Sequence, residues 1–138
     1  MPPIITISIN TRGDYDFIDI TAKVSRHLVN TAFQEGLATV FIAGSTAGLI
    51  LIEYEPGLVQ DLKRAFQRIA PVEAYYEHNA KWGDGNGHSH VSASISGQSV
   101  AIPFSSGKLL LGTWQQIVLV DFDNRPRQRQ VYVKFIQG

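Results

Sequence analysis

The chain has 138 residues, with 12 Lys and Arg against 12 Asp and Glu, 44% hydrophobic and 17% charged. That balance predicts one compact soluble domain and excludes both disorder and a basic face broad enough for non-specific nucleic-acid binding. Cysteine is absent, which excludes disulfides, thiolate zinc sites, iron–sulfur clusters and cysteine nucleophiles, and leaves His, Asp, Glu or water to hold any metal.

In chain order, Ile4 to Asn10 reads as a strand with Ile5, Ile7 and Ile9 on one face. Ile20, Val24, Leu28 and Ala32 recur every four residues and line a helix, which Asp19 or Thr21 would cap and Gly36 would end. Two β-rich runs follow, Ala38 to Ala43 and Leu49 to Tyr54, separated by Gly44-Ser-Thr-Ala-Gly48. The longest apolar stretch, 37–52, is broken by that segment and is shorter than the ~20 residues that cross a bilayer. No membrane association and a cytoplasmic location are expected. Pro56 suits the first turn of a helix burying Leu58, Leu62, Phe66 and Ile69, stopped at Pro71.

After a glycine-rich loop, Trp82 to Gly87, residues 88–96 alternate: Ser89, Val91, Ala93 and Ile95 against His88, His90, Ser92, Ser94 and Ser96. This pattern predicts a strand. Gln98–Pro103 with Lys108–Gly112, and Ile117–Phe122 with Arg129–Ile136, read as two hairpins. The sum is a single α+β domain over 1–138, β-rich, with antiparallel or mixed sheets forming a sandwich-like core and two main helices.

Three of the four histidines, His78, His88 and His90, fall within thirteen residues. In a strand His88 and His90 would leave one face about 7 Å apart, near enough to share an ion at about 2.0–2.1 Å per nitrogen, with His78 closing a three-ligand site. A solvated strand face is the plain alternative. Glu53 is a candidate general base or fourth ligand, although it and Glu55 also suit a strand end beside a helix N-terminus. Asp84 and Asn86 are turn formers or ligand-orienting groups. Ser45 and Thr46, in the Gly44–Gly48 turn, offer anion donors, or simply a tight hairpin. Arg125, Arg127 and Arg129 share one strand parity; they form a phosphate clamp or a charged sheet edge. Thr113 and Gln115 offer polar groups toward a pocket.

Tyr76-Glu-His78, Asp84-Gly-Asn-Gly-His-Ser-His90, Ser94-Ile-Ser-Gly97, Ile102-Pro103, Gly107, Gly112-Thr-Trp-Gln115 and the Arg-rich closing strand together resemble the YjbQ-like family, also called the secondary thiamine-phosphate synthase family. The resemblance spans nearly the whole chain. It implies a β-rich α+β homotrimer with a histidine site for a zinc-like ion. It also implies condensation of hydroxymethylpyrimidine diphosphate with thiazole phosphate to thiamine phosphate and pyrophosphate. His78, His90, Asp84 and Asn86 match family positions. Gly44 stands where many members have a third histidine, and His88 where many have proline. The resulting expectation is that His88 restores the missing ligand.

A transferase on small phosphorylated molecules is therefore the leading expectation, with zinc as the expected metal and magnesium as an option for a diphosphate. A zinc-assisted hydrolase and a non-catalytic metal- or ligand-binding oligomer are the alternatives.

Overall fold

The computed structural model describes residues 3–138. Among the described residues, eight strands form two antiparallel sheets. The larger sheet joins β1 (Ile5–Thr11), β8 (Arg127–Gln137), β3 (Gly36–Ala43), β5 (Ser99–Ser105) and β6 (Lys108–Leu109), in the order β1-β8-β3-β5-β6. The smaller has the order β2-β7-β4, from β2 (Asp16–Asp19), β7 (Gln116–Asp121) and β4 (Ala47–Ile52). The described residues also form four helices: α1 (Thr21–Thr31), α2 (Pro56–Ile69), α3 (Glu77–Trp82) and α4 (Gly87–Ser96). Among the described residues no helix is long and apolar enough to cross a membrane.

The small sheet is buried on both faces, which is why β7 reads as an unbroken apolar run. Its Ile117 and Leu119 join Ile7, Ile9, Val40, Ile42, Val131, Val133 and Phe135 of the large sheet in the inter-sheet core. Val118 and Val120 point the other way, onto Phe66 of α2 and Ala93 of α4. Helix α1 supplies Val24 and Leu28 to the first core, as its four-residue spacing predicts. It stops at Ala32, in a left-handed conformation, rather than at Gly36, which opens β3. Helix α2 begins at Pro56, and the Glu55 carboxylate accepts from the Gly57 and Leu58 N–H groups.

Three sequence expectations need correction. Residues 88–96 form helix α4, not a strand. Its buried side, His88, Ser89, Ser92 and Ala93, follows helical spacing, and small residues let it approach β4 closely. A Cβ on Gly48 would lie 2.8 Å from the Gly97 carbonyl oxygen, and the Leu49 N–H donates to that same carbonyl. Serine and alanine satisfy a two-residue and a 3.6-residue period almost equally, so the pattern carried little contrast. Second, the Lys108 strand pairs with β5 as expected, but β7 and β8 belong to different sheets and do not form a hairpin. Third, Gly44–Thr46 is not a tight hairpin, because β3 and β4 also lie in different sheets.

These departures share one geometry. The links β1 to β2, β3 to β4 and β7 to β8 each carry the chain from one sheet to the other. The Asp14 N–H donates to the Asp123 carbonyl, and the Phe122 N–H to that of Thr46, so the three corners are stitched together at one end of the sandwich.

Candidate functional site

Polar residues gather where the corners meet. Asp121 and Asp123 leave β7 on the same side, both fully buried. Arg129, 7% exposed, engages Asp121 with a two-pronged fork, Nε to Oδ2 at 2.8 Å and Nη2 to Oδ1 at 2.9 Å. Its Nη2 also donates to Thr46 Oγ1 at 2.6 Å, and that hydroxyl donates to Asp123 Oδ2 at 3.0 Å. Arg127 Nε donates to the same Asp123 oxygen at 2.8 Å, and Asn86 Nδ2 to the other at 3.3 Å. Thr11 donates to Asp121. Burial alone would raise the Asp123 carboxyl, but bonds from the Asn124 N–H, Asn86, Thr46 and Arg127 outweigh it and hold the group below its ordinary value.

Above this base lie two histidines. His78 on α3 and His90 on α4 place their ring centroids 4.3 Å apart, tilted by 42°. Asp84 Oδ1 is 3.5 Å from His78 Nδ1. The glycine-rich loop turns at Gly83 and Gly85, both left-handed, and returns the chain into α4, where Asn79 Oδ1 accepts the Gly87 N–H at 2.8 Å. This is how α3 and α4 are locked with their histidines adjacent. Burial first, and His78 second, lower the His90 imidazole; Asp84, Asp123 and the Ser45 carbonyl oppose them. His90 is therefore mainly neutral at pH 7. With Phe41, Ile42, Gly44, Ser45, Ser94 and Gln98 it lines an open hollow of about 260 Å³.

His88 is elsewhere. Residues two apart on a helix point about 200° apart, and His88 is 1% exposed, with its ring 6.3 Å from that of Tyr15. Ser89 Oγ donates to the Phe122 carbonyl and lies 3.2 Å from His88 Nε2. The hydroxyl's single proton is thereby used, so His88 Nε2 is the donor and Nδ1, which has no partner among the described residues, is the bare acceptor. A zinc ion requires its imidazoles to converge. Here two of three do, and among the described residues no group of three His, Asp or Glu is placed to hold a metal. The residues do not fit the expected three-imidazole ion, and His88 does not replace a ligand at Gly44.

Burial lowers the His88 imidazole against the opposing pull of Asp14 and Asp123. A depressed imidazole means that the unfolded chain binds the proton more tightly. Stability is thus full above the unfolded value of about 6.5 and drains as pH falls below it. The melting temperature should drop between pH 7 and pH 5.5, and His88→Gln should flatten that slope in thermal melts across the range.

The remaining candidates divide between the two ends of the molecule. Ser45, Thr46, Asn86, Arg127 and Arg129 lie at the histidine end, although Arg127 and Arg129 are committed to internal carboxylates and Thr46 is buried among them. Their strand, β8, runs between β1 and β3, so it is not an edge. Arg125 is exposed in the corner before β8. Glu53 and Thr113 lie at the far end of β4, in a hollow of about 450 Å³ with Asp19, Tyr54, Trp114 and Gln116. Gln115 Oε1 accepts the Gly112 N–H there. Pairing of Ala47 with Asp121 and Ile52 with Gln116 sets these ends one strand apart, roughly 20 Å, so within one chain Glu53 serves neither as base nor as ligand for the histidines. Asp121 and Asp123 escaped the sequence reading. The available signal was two carboxylates ending an apolar strand, matched by two arginines of equal spacing across the corner.

The family model described as "UPF0047 protein YjbQ-like" matches residues 5–138. A UPF0047 protein of Archaeoglobus fulgidus is 36% identical over 128 residues, 93% of this chain and 97% of its own. The UPF0047 protein YugU of Bacillus subtilis is 33% identical, covering 95% of this chain and 97% of its own. Among solved structures, hypothetical protein APE1520 of Aeropyrum pernix superposes with a TM-score of 0.91 at 29% identity, over 99% of this chain and all of that one. A YjbQ/UPF0047 family protein of Clostridium acetobutylicum does so with 0.88 at 37% identity, over 96% and 99%.

Proposed function

Because the chain belongs to the UPF0047 YjbQ-like family, we propose that it is a transferase acting on small phosphorylated molecules, joining hydroxymethylpyrimidine diphosphate to thiazole phosphate. The observation that carries this reading is the His78–His90 pair, 4.3 Å apart, beside the hollow at the Gly44–Ser45 corner.

The reaction breaks the bond between the pyrimidine methylene carbon and the diphosphate oxygen, and the bonding pair leaves on pyrophosphate. The thiazole nitrogen lone pair then forms the new carbon–nitrogen bond, giving a thiazolium and requiring no net proton transfer. The chain's task is to steady the departing anion and hold the acceptor in line. His78 and His90 supply ring N–H donors to the leaving oxygens, with the Asp84 carboxylate 3.5 Å from His78 Nδ1. The buried arginine–aspartate base fixes the corner beneath them. No step is routed through a histidine-bound metal. The homotrimer implied by the resemblance belongs to the same proposal. Exposed Leu110 and Trp114, 59% and 73% accessible, offer apolar surface for it, and light scattering at three times 15.3 kDa is the expected mass.

Turnover assays separate the readings. Pyrophosphate release from the pyrimidine diphosphate that depends on the thiazole phosphate, with thiamine phosphate formed in equal amount, supports the transferase. Release without acceptor replaces it with a hydrolase, and no release under either condition leaves a binding protein.

A further inference from the structure

Arg129 is buried, yet its guanidinium is only partly used. Of its five N–H donors, those on Nε and Nη2 serve Asp121 and Thr46. Nη1 makes no hydrogen bond with any described residue and, unlike the enclosed polar atoms that lack a partner, it stays open to solvent. Nη1 points at Gly44, where a Cβ would stand 2.8 Å from it. No backbone requirement explains this glycine, since Gly44 is not among the residues with positive φ. What the missing side chain provides is room for the guanidinium edge itself, beside the hollow that Gly44 lines with Ser45 and His90.

We propose that this hollow is a phosphoryl subsite, anchored by Arg129 Nη1, whose approach to it depends on the absence of a side chain at Gly44. Asp121 and Thr46 hold the guanidinium from behind, so its free edge is presented without a rotamer search. That is the pre-organisation which gives arginine its advantage over lysine for oxyanions. The Ser45 hydroxyl and the His90 imidazole flank the opening. A small phosphate or diphosphate fits the roughly 260 Å³ available, whereas a polynucleotide would need a basic surface that a chain with 12 positive and 12 negative side chains does not provide. The proposal rests on the preceding reading for its location and adds to it the residue that recognises the diphosphate and the glycine that gives that residue its approach.

The test is titration of the intact protein with inorganic pyrophosphate at low ionic strength, followed by calorimetry and by the arginine side-chain NMR signals. The expected results are binding by the wild type, a perturbed Arg129 signal, and at least a tenfold loss of affinity in Gly44→Ala. A circular-dichroism spectrum unchanged in Gly44→Ala makes that loss local. Wild-type protein that binds no pyrophosphate, binding that leaves the Arg129 signal unmoved, or full affinity in Gly44→Ala each overturns the subsite. The two readings fail separately. Pyrophosphate bound at Arg129 without any turnover keeps the subsite and removes the transferase. Turnover with an unchanged KM for the diphosphate in Gly44→Ala does the reverse.

Discussion

Replacing His90 by alanine should lower turnover of the pyrimidine diphosphate by about 10²–10³-fold, the range over which one positioned hydrogen-bond donor to a developing anion normally contributes. Melting temperature at pH 7 should change little, because His90 lies at the rim of the hollow and its ring is not part of either apolar core. His78→Ala should act in the same direction, and the double variant should lose little more than either single one, since the two rings work as one contact pair. The pH profile carries a further mark. Burial and His78 hold His90 below the ordinary imidazole value, so the neutral ring should persist, and activity with it, at pH values where a free imidazole is half protonated. Initial rates between pH 5 and pH 8 for wild type and His90→Gln check both points.

The second large effect concerns stability. Asp121→Asn removes the charge that faces the Arg129 fork and leaves the buried guanidinium only Asp123 Oδ2, 3.8 Å from Nη2, as a counter-charge. Loss of one partner from such a pair costs about 3–5 kcal/mol, a large part of the total stability of an ordinary domain. Urea denaturation should show this as an early midpoint with an unchanged slope. Removing both charges with Asp121→Leu and Arg129→Met should recover part of the loss, because no buried charge then lacks its partner, while the Thr11 hydroxyl and the Asp123 N–H lose their acceptor. A cycle in which the double variant is as unstable as the sum of the singles would mean that the two residues are not energetically coupled.

How far the sequence led depended on the contrast in each segment. The α1 spacing of Ile20, Val24 and Leu28 was unmistakable, and so was the apolar run of β7, because bulky side chains alternate with nothing ambiguous. Residues 88–96 misled because serine and alanine mark no face strongly. The choice of helix over strand came from a contact with Gly48 and Gly97, some fifty residues apart in the chain. That single change of period decides the site, since it sends His88 into the core while His90 stays beside His78. Arginines 127 and 129 were legible as a pair, but not the burial of Arg129 or the half-buried reach of Arg127 onto Asp123. Both depend on β8 being flanked by β1 and β3, an order of strands set by long-range pairing that no local pattern encodes. Glu53 was placed with the histidines for the same reason: its distance from them is the length of β4, which appears only once the sheet is assembled.

In the proposed reaction the histidine end of the sandwich, not the Trp114 end, receives the diphosphate. A crystal structure of the protein soaked with the pyrimidine diphosphate tests this most directly. The expected result is a diphosphate seated between Gly44, Ser45 and His90 and within hydrogen-bond reach of Arg129 Nη1. A diphosphate found only among Glu53, Tyr54, Thr113 and Trp114, with the Gly44 hollow filled by solvent, would contradict it.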